Sequence, residues 1–492
     1  MGELGGFLKY PRYTRPRRDV EKRIHDWQEV YQEIDNQAYR FQGARCMDCG
    51  VPFCHDACPL GNLIPEWNDL VWHDDWQDAS QRLHATNNFP DFTGRLCPAP
   101  CEAACVLGIN SDPVTIEQIE YEIAERAWES GWIIPHISKV RTNKRVAIVG
   151  SGPSGMACAE QLVCKGHEVT VLERDMKPGG LLRYGIPEFK LEKRILDRRI
   201  THLEAEGVEF RCAVEVGGTK TLGSMSVETL RQSFDAIVIA IGSTVPRDLP
   251  IPGRDLTGIY FAIDYLKPAN LVQEGDLKES PVTAANKHVV IIGGGDTGAD
   301  CLGTAHRQGA SSIHQFEILP RPPDERSSDN PWPGWPLIFR SSSSHEEGGE
   351  RLFAVESDGF IGDASASVCT IKAHRVEMAF EDGHLNFIQV PSSEFELPCD
   401  MVLLAMGFTG PQKEGLAEDL GLLFDMRGNL RRDHNFSSNV EGVFVCGDAG
   451  RGQSLIVWAI AEGRSCAAAV DRFLMGETDL PSPITPERMA MR

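Results

Sequence analysis

Two glycine-rich turns constrain this chain most. Gly150-x-Gly152-x-x-Gly155 follows Arg145-Val146-Ala147-Ile148-Val149, a short run that reads as a buried strand. Gly293-x-Gly295-x-x-Gly298 follows His288-Val289-Val290-Ile291-Ile292 in the same way. A helical stretch and a further strand come after each turn, Glu168 to Leu172 in one case and about Ile313 to Ile318 in the other. Strand, glycine turn, helix and strand make a βαβ unit. The first glycine allows the tight bend, the second lets the backbone approach a pyrophosphate, and the third lets helix and strand pack closely. The helix start then turns its free N–H groups and positive dipole end toward the diphosphate. Two such units about 140 residues apart predict two nested dinucleotide-binding domains. Residues 141–285 and 400–492 are expected to form one, and residues 286–399 the other.

Ahead of these units the chain changes character. Seven of the 15 cysteines lie between positions 46 and 105. Apolar residues recur every three or four positions in Val20 to Tyr39 and in Ile116 to Glu129, the helical period. Residues 1–140 are therefore expected to be a mostly helical domain, and the fold class is α/β: a helical iron–sulfur domain followed by two nested Rossmann-like domains. Cys46, Cys49, Cys54 and Cys58 form one run, with Pro59 after the last; Cys97, Cys101 and Cys105 form another. In two-cluster ferredoxins the cysteine before the proline ligates the other cluster. That logic puts Cys46, Cys49, Cys54 and the returning Cys105 around one 4Fe-4S cluster, and Cys58, Cys97 and Cys101 around a second. The second is one ligand short. Glu120 is the candidate oxygen ligand and Glu117 the runner-up, both on the helix after Cys105. Structural zinc also takes four thiolates, but usually from two paired knuckles or with added histidines. Only one Cys-x-x-Cys pair is present, and His55 is the only nearby histidine.

The first glycine box comes with further signals. Glu173 closes its second strand and would accept bonds from ribose hydroxyls. Gly179-Gly180-Leu181-Leu182-Arg183 follows, then the strand Asp235 to Ile241 ending in Gly242, and near the C-terminus Gly442 to Gly447-Asp448. Asp448 can hold the ribityl or pyrophosphate part of a flavin, and the helix after Gln453 can aim its positive end at a reduced, negatively charged ring. In this order the pieces resemble the FAD domain of the two-dinucleotide flavoproteins. The expected FAD contacts are Gly150, Gly152, Pro153, Ser154, Gly155, Glu173, Arg174, Gly180, Leu181, Arg183, Gly242, Gly447, Asp448, Ser454 and Leu455. The expected nicotinamide-nucleotide contacts are Gly293, Gly295, Asp296, Thr297, Gly298, Arg321 and Arg326. Glu317 falls where an adenosine ribose should lie and favours NADH, because an acid repels a 2′-phosphate. Arg321 and Arg326 follow at once and could bind that phosphate, which favours NADPH. No side-chain general acid or base is expected.

Longer motifs carry a closer resemblance. Cys46-Met-Asp-Cys-Gly-Val-Pro-Phe-Cys-His55, Asn87 to Arg95, Cys97-Pro-Ala-Pro-Cys-Glu-Ala-Ala-Cys105, Gly293 to Asp300 and Gly452 to Ile460 resemble the glutamate synthase small (beta) subunit family, over about residues 40–470. The resemblance implies an electron-input subunit: NADPH reduces FAD, and two 4Fe-4S clusters carry electrons to a large (alpha) subunit that makes L-glutamate from L-glutamine and 2-oxoglutarate. It also implies an oxygen ligand within Pro113 to Glu122, in line with Glu120, and leans toward NADPH. The alternative is a self-standing or bifurcating NAD(P)H:ferredoxin oxidoreductase. A formal net charge of −22 argues against nucleic acid as partner. No apolar run approaches the roughly 20 residues of a membrane span and no signal core opens the chain, so a cytoplasmic protein with reduced thiols is expected.

Overall fold

The computed structural model describes residues 2–217, 223–381 and 384–489. After the helical N-terminal part, β1 (Arg145–Val149), β2 (Glu168–Leu172), β3 (Glu209–Arg211) and β4 (Ala236–Ile239) build a first sheet. The short strand β5 (Val245–Pro246) leads to β6 (Ile259–Phe261), β7 (His288–Ile292), β8 (Ser312–Glu317) and β9 (Glu350–Phe353) of a second sheet. An antiparallel sheet follows, made of β10 (Val355–Gly362), β11 (Val368–Glu381), β12 (His384–Gln389) and β13 (Phe395–Pro398). Then β14 (Met401–Leu404) completes the second sheet, β15 (Phe408–Gly410) pairs antiparallel with β5, and β16 (Val443–Val445) completes the first.

The two large sheets share one plan. Their orders are β16-β4-β1-β2-β3 and β6-β14-β7-β8-β9, and every neighbouring pair is parallel. Parallel sheets are covered on both faces, which is why the central strands read as unbroken apolar runs. Val146, Ile148, Val169 and Val171 face one core with the helix Pro153–Cys164 and the helix Ile456–Met475, while Ala147, Val149 and Leu172 face another. In both sheets the strand before the glycine turn lies between the strand that follows it and one from later in the chain. That reversal of order opens a crevice at the carboxyl ends of the strands, where open α/β sheets take their ligands.

The expected boundaries shift in one respect. Strands β6 and β14 hydrogen-bond into the second sheet, so that domain begins before residue 259 and continues past 399. The crossing between the two domains is the β5–β15 ribbon. The boundary residues carry no composition change, because β6 and β14 are short buried strands like those of the first sheet.

The N-terminal part is helical as expected. Ile116–Glu129 is one helix, but Val20 to Tyr39 is not: Val20–Arg23 and Asn36–Ala44 are helical, with irregular chain between. Tertiary pairing overrides the periodicity there. Buried Arg23 pairs with Glu347 of the second nucleotide domain at 2.8 Å, Arg307 donates to the Asp26 carbonyl at 3.0 Å, and Asp35 accepts from Gln37 N to start the next helix. A continuous helix would break these contacts. The helical domain is also locked to the first sheet. Asp91 pairs with Arg199 at 2.6 Å with both side chains buried, and Arg464 donates to Asn88 at 2.7 Å. Cys58, Leu60, Phe89 and Phe92 belong to the same apolar core as Leu182 and Trp458.

Candidate functional site

The crevice above the first sheet is a cavity of about 620 Å³, within the range of roughly 300–1,000 Å³ usual for small-molecule sites. Of the residues expected to contact FAD, Gly150, Gly152, Pro153, Ser154, Glu173, Arg174, Gly180, Leu181, Gly242 and Asp448 line it. Tyr184, one residue beyond Arg183 in the glycine-loop motif, lines it too, as do Asp264, Lys267 and Gln412, which no motif signals. Ser151, between the first two box glycines, ties the turn together. Its N–H and Oγ donate to Glu173 Oε2 at 3.2 and 2.5 Å, and its Oγ accepts from Gly179 N at 2.8 Å. Gly155 lies outside the lining. A Cβ there would stand 2.1 Å from the Gly150 carbonyl oxygen, so this glycine brings helix and strand together.

At the far side of the crevice, Ser454 Oγ donates to Asp448 Oδ1 at 2.6 Å. Burial pushes the Asp448 carboxyl up to about 7. Leu455 caps the helix Ile456–Met475 with no side-chain bond, which leaves the first N–H groups of that helix free. Gly447 donates its N–H to Glu462 at 2.7 Å. Glu462 is fully buried, pairs with Arg432 and Arg451 at 2.6 Å each, and so holds the Gly447–Asp448 turn. Arg183 differs from expectation. It is buried, with its guanidinium committed to Glu274, Asp197 and the Pro178 carbonyl. It braces the glycine loop from behind and does not line the crevice. Cys158, Cys446 and Cys466 are buried close together in the core of the first sheet.

The second glycine turn repeats the first. Gly294 N donates to Glu317 Oε2 at 3.0 Å and Leu319 N to Oε1 at 2.9 Å. Gln315 donates to the Gly293 carbonyl at 2.8 Å. Gly295 caps the helix Asp296–Arg307 with no side-chain bond, and Gly295 and Asp296 are exposed beside half-buried Thr297. A Cβ on Gly298 would stand 2.2 Å from the Gly293 carbonyl oxygen. Arg321 is exposed, pairs with Asp324 at 2.6 Å and stacks on Phe339 at 4.1 Å. Arg326 departs from the expected role: it donates to the Gly334 and Asn330 carbonyls at 2.7 and 3.1 Å and so holds the proline-rich loop in shape.

The cysteines fall into the two expected groups. Cys46, Cys49, Cys54 and Cys105 line one cavity with Phe53, Ile64, Leu107 and Ile116. Cys58, Cys97 and Cys101 lie within electrostatic reach of one another and of Glu120. Glu117 also lies near Cys97. Glu120 is buried; Asn87 donates to its Oε1 at 3.0 Å and Thr93 donates to the same oxygen, leaving Oε2 uncommitted. Burial pushes Glu120 up to about 7 and the Cys46 and Cys58 thiols up to about 11. Desolvated thiols this close together are poor anions by themselves and need a cation to become thiolates. Among the described residues no three His, Cys, Asp or Glu side chains close on one point as ligands of a single ion would. The four thiols of Cys46, Cys49, Cys54 and Cys105 around one cavity are the donor set that an iron–sulfur cluster takes.

Comparison with known proteins follows the same division. The family model for dihydropyrimidine dehydrogenase domain II, 4Fe-4S cluster, matches residues 23–132. That for pyridine nucleotide-disulphide oxidoreductase matches residues 144–330 and 363–463. The glutamate synthase [NADPH] small chain of Mycobacterium tuberculosis is 59% identical, over 99% of both chains. That of Bacillus subtilis is 42% identical, over 98% of this chain and 100% of the other. The glutamate synthase [NADH] of Schizosaccharomyces pombe is 45% identical over 98% of this chain, which matches 23% of that one. Among solved structures, FprA of Mycobacterium tuberculosis in complex with NADPH has a TM-score of 0.54 at 20% identity, over 68% of this chain and 85% of that one, a likeness of fold.

Proposed function

The chain belongs to the family of glutamate synthase [NADPH] small chains, and from that premise we propose that it is the electron-input subunit of a glutamate synthase. It takes reducing equivalents from NADPH and delivers them to a large subunit that forms L-glutamate from L-glutamine and 2-oxoglutarate. A flavin held in the first crevice would supply acceptance of a hydride and release of single electrons, and iron–sulfur groups held by the cysteines would supply one-electron transfer onward. The chain's own residues bind, orient and insulate these groups. Ser151 and Glu173 hold the turn under one diphosphate; Gly294 and Glu317 hold the turn under the other. Asp448, Ser454 and the open start of the helix Ile456–Met475 would hold the ribityl and ring region of a flavin.

One observation carries the reading. Cys58 lies in the same continuous apolar core as Ala240, which lines the crevice above the first sheet, with Cys97 and Leu455 packed against that core, so a thiol group and the proposed flavin crevice share one packed wall. The Cys58, Cys97, Cys101 and Glu120 group is then the inner relay. The Cys46, Cys49, Cys54 and Cys105 group is the outer one, beside exposed Val51 and Met47, where a partner could receive electrons. The Schizosaccharomyces pombe relative, in which the matching segment is one part of a much longer chain, supports a larger partner. No helix among the described residues is long and apolar enough to cross a membrane, and a cytoplasmic site of action fits thiols that must stay reduced.

The test is anaerobic purification followed by a visible spectrum and an NADPH titration. Flavin peaks on a broad iron–sulfur shoulder, bleached by NADPH, are expected. A colourless protein, or a coloured one that NADPH does not bleach, would overturn the proposal.

A further inference from the structure

This inference rests on the proposed use of NADPH and concerns how that cofactor is told from NADH. Glu317 occupies the adenosine-ribose position, yet an acid there should repel a 2′-phosphate. Both its oxygens already accept backbone N–H groups, from Gly294 and Leu319. Glu173 does the same in the first domain, accepting from Ser151 N and from Asp175 N at 2.9 Å. Glu317 is thus committed to the turn, and the question is which cations lie beside it.

One of them comes from the neighbouring strand. In the parallel register of β8 and β9, Arg351 lies opposite Gln315 and Phe353 opposite Glu317. Alternation along a strand puts Gln315, Glu317, Arg351 and Phe353 on one face of the sheet. Gln315 and Glu317 are the two side chains that hold the glycine turn. Arg351 Cζ stands 4.9 Å from the centre of the Phe339 ring and 5.0 Å from that of Phe353. Arg321 stacks on the same Phe339 at 4.1 Å. One aromatic ring therefore gathers two guanidiniums next to Glu317. Arg351 is half-buried, and burial lowers its pKa while the Glu317 carboxylate opposes that and Arg321 adds to it. One of its nitrogens donates to the Arg340 carbonyl at 3.1 Å. Arg321, by contrast, is exposed and already paired with Asp324. Arg326 is committed to loop carbonyls.

We propose that Arg351, seated on Phe339 and Phe353 beside Glu317, is the residue that selects NADPH by receiving its 2′-phosphate, with Arg321 as the outer member of the pair. A guanidinium held on a ring loses little freedom on binding and can meet a phosphate with two parallel hydrogen bonds. Its charge also offsets Glu317, so the ribose acid and the phosphate can coexist.

The test uses the flavin-loaded protein, calorimetry, and two fragments that differ by one phosphate: adenosine 2′,5′-bisphosphate and adenosine 5′-monophosphate. The wild type should bind the bisphosphate tighter by roughly tenfold or more, the range for a charge-assisted contact. Arg351→Gln should bring the two affinities together and leave the monophosphate within about twofold of wild type. Arg321→Gln should lose a smaller part of the preference. An Arg351→Gln protein that keeps the full preference overturns this inference while leaving NADPH use intact. A wild type with no preference overturns both. Should Arg351→Gln bind neither fragment, Arg351→Lys decides: a reduced preference supports the assignment, and an undiminished one refutes it.

Discussion

Gly298→Ala is the sharpest perturbation of the second nucleotide site. An alanine Cβ at this position would stand 2.2 Å from the Gly293 carbonyl oxygen and 2.4 Å from Gln315 Nε2, where ordinary contact begins at 3.4 Å. The backbone oxygen belongs to the turn itself and cannot rotate away. The helix Asp296–Arg307 must therefore withdraw from β7 by on the order of 1 Å, and its first N–H groups move away from where the diphosphate is proposed to bind. Overpacking of this kind costs about 1–3 kcal/mol. If that is taken from binding, the apparent affinity for NADPH falls roughly 5- to 150-fold. The flavin crevice is formed by other strands and should be untouched. Stopped-flow bleaching of the flavin against NADPH concentration reads the loss, and reduction by dithionite is the control. A variant that keeps wild-type NADPH dependence, or one that loses its flavin, refutes the division of labour between the two glycine boxes.

Three further perturbations test other parts. Asp91→Asn leaves Arg199 buried without its carboxylate and should cost about 3–5 kcal/mol, seen as a lower urea midpoint; an unchanged midpoint means the helical domain does not depend on this pair. Glu120→Ala should remove one of two reduced-cluster signals in electron paramagnetic resonance while Glu117→Ala leaves both; the reverse pattern would make Glu117 the ligand. Asp448 has its carboxyl raised from an ordinary 3.8 to about 7 by burial, so the folded apoprotein binds a proton that the unfolded chain has lost. Its contribution is present below pH ~4 and fades as pH rises to ~7, a loss of up to about 4 kcal/mol. Asp448→Asn should flatten that decline in apoprotein melting, and a slope like that of wild type would contradict the assignment.

Much of the architecture was legible because parallel sheets write themselves as short apolar runs ended by glycine. Arg145–Val149 and Glu168–Leu172 fall where the pattern puts them. The cysteine spacing likewise anticipated two groups, since four thiols that share a cavity come from one run and one return. What escaped is what depends on neighbours far along the chain. Arg183 sits in a flavin motif but is held by Glu274, 91 residues on. The helical period of Val20 to Tyr39 yields to buried pairing with Glu347. Arg351 follows no glycine box and comes near Glu317 only because β9 pairs with β8, opposite Gln315 and two residues from the partner of Glu317. Glu462 reads as a surface acid on a helix, yet it is buried between Arg432 and Arg451 under the Gly447–Asp448 turn.

On the proposed function, NADPH electrons cross this chain to a glutamate-forming partner. The most direct measurement mixes the anaerobic, cofactor-loaded protein with a glutamate synthase large subunit and follows NADPH oxidation. Oxidation that requires both L-glutamine and 2-oxoglutarate, with glutamate formed in step, is the result expected. NADPH oxidation that never couples to the large subunit, while ferredoxin is reduced without it, would contradict the account.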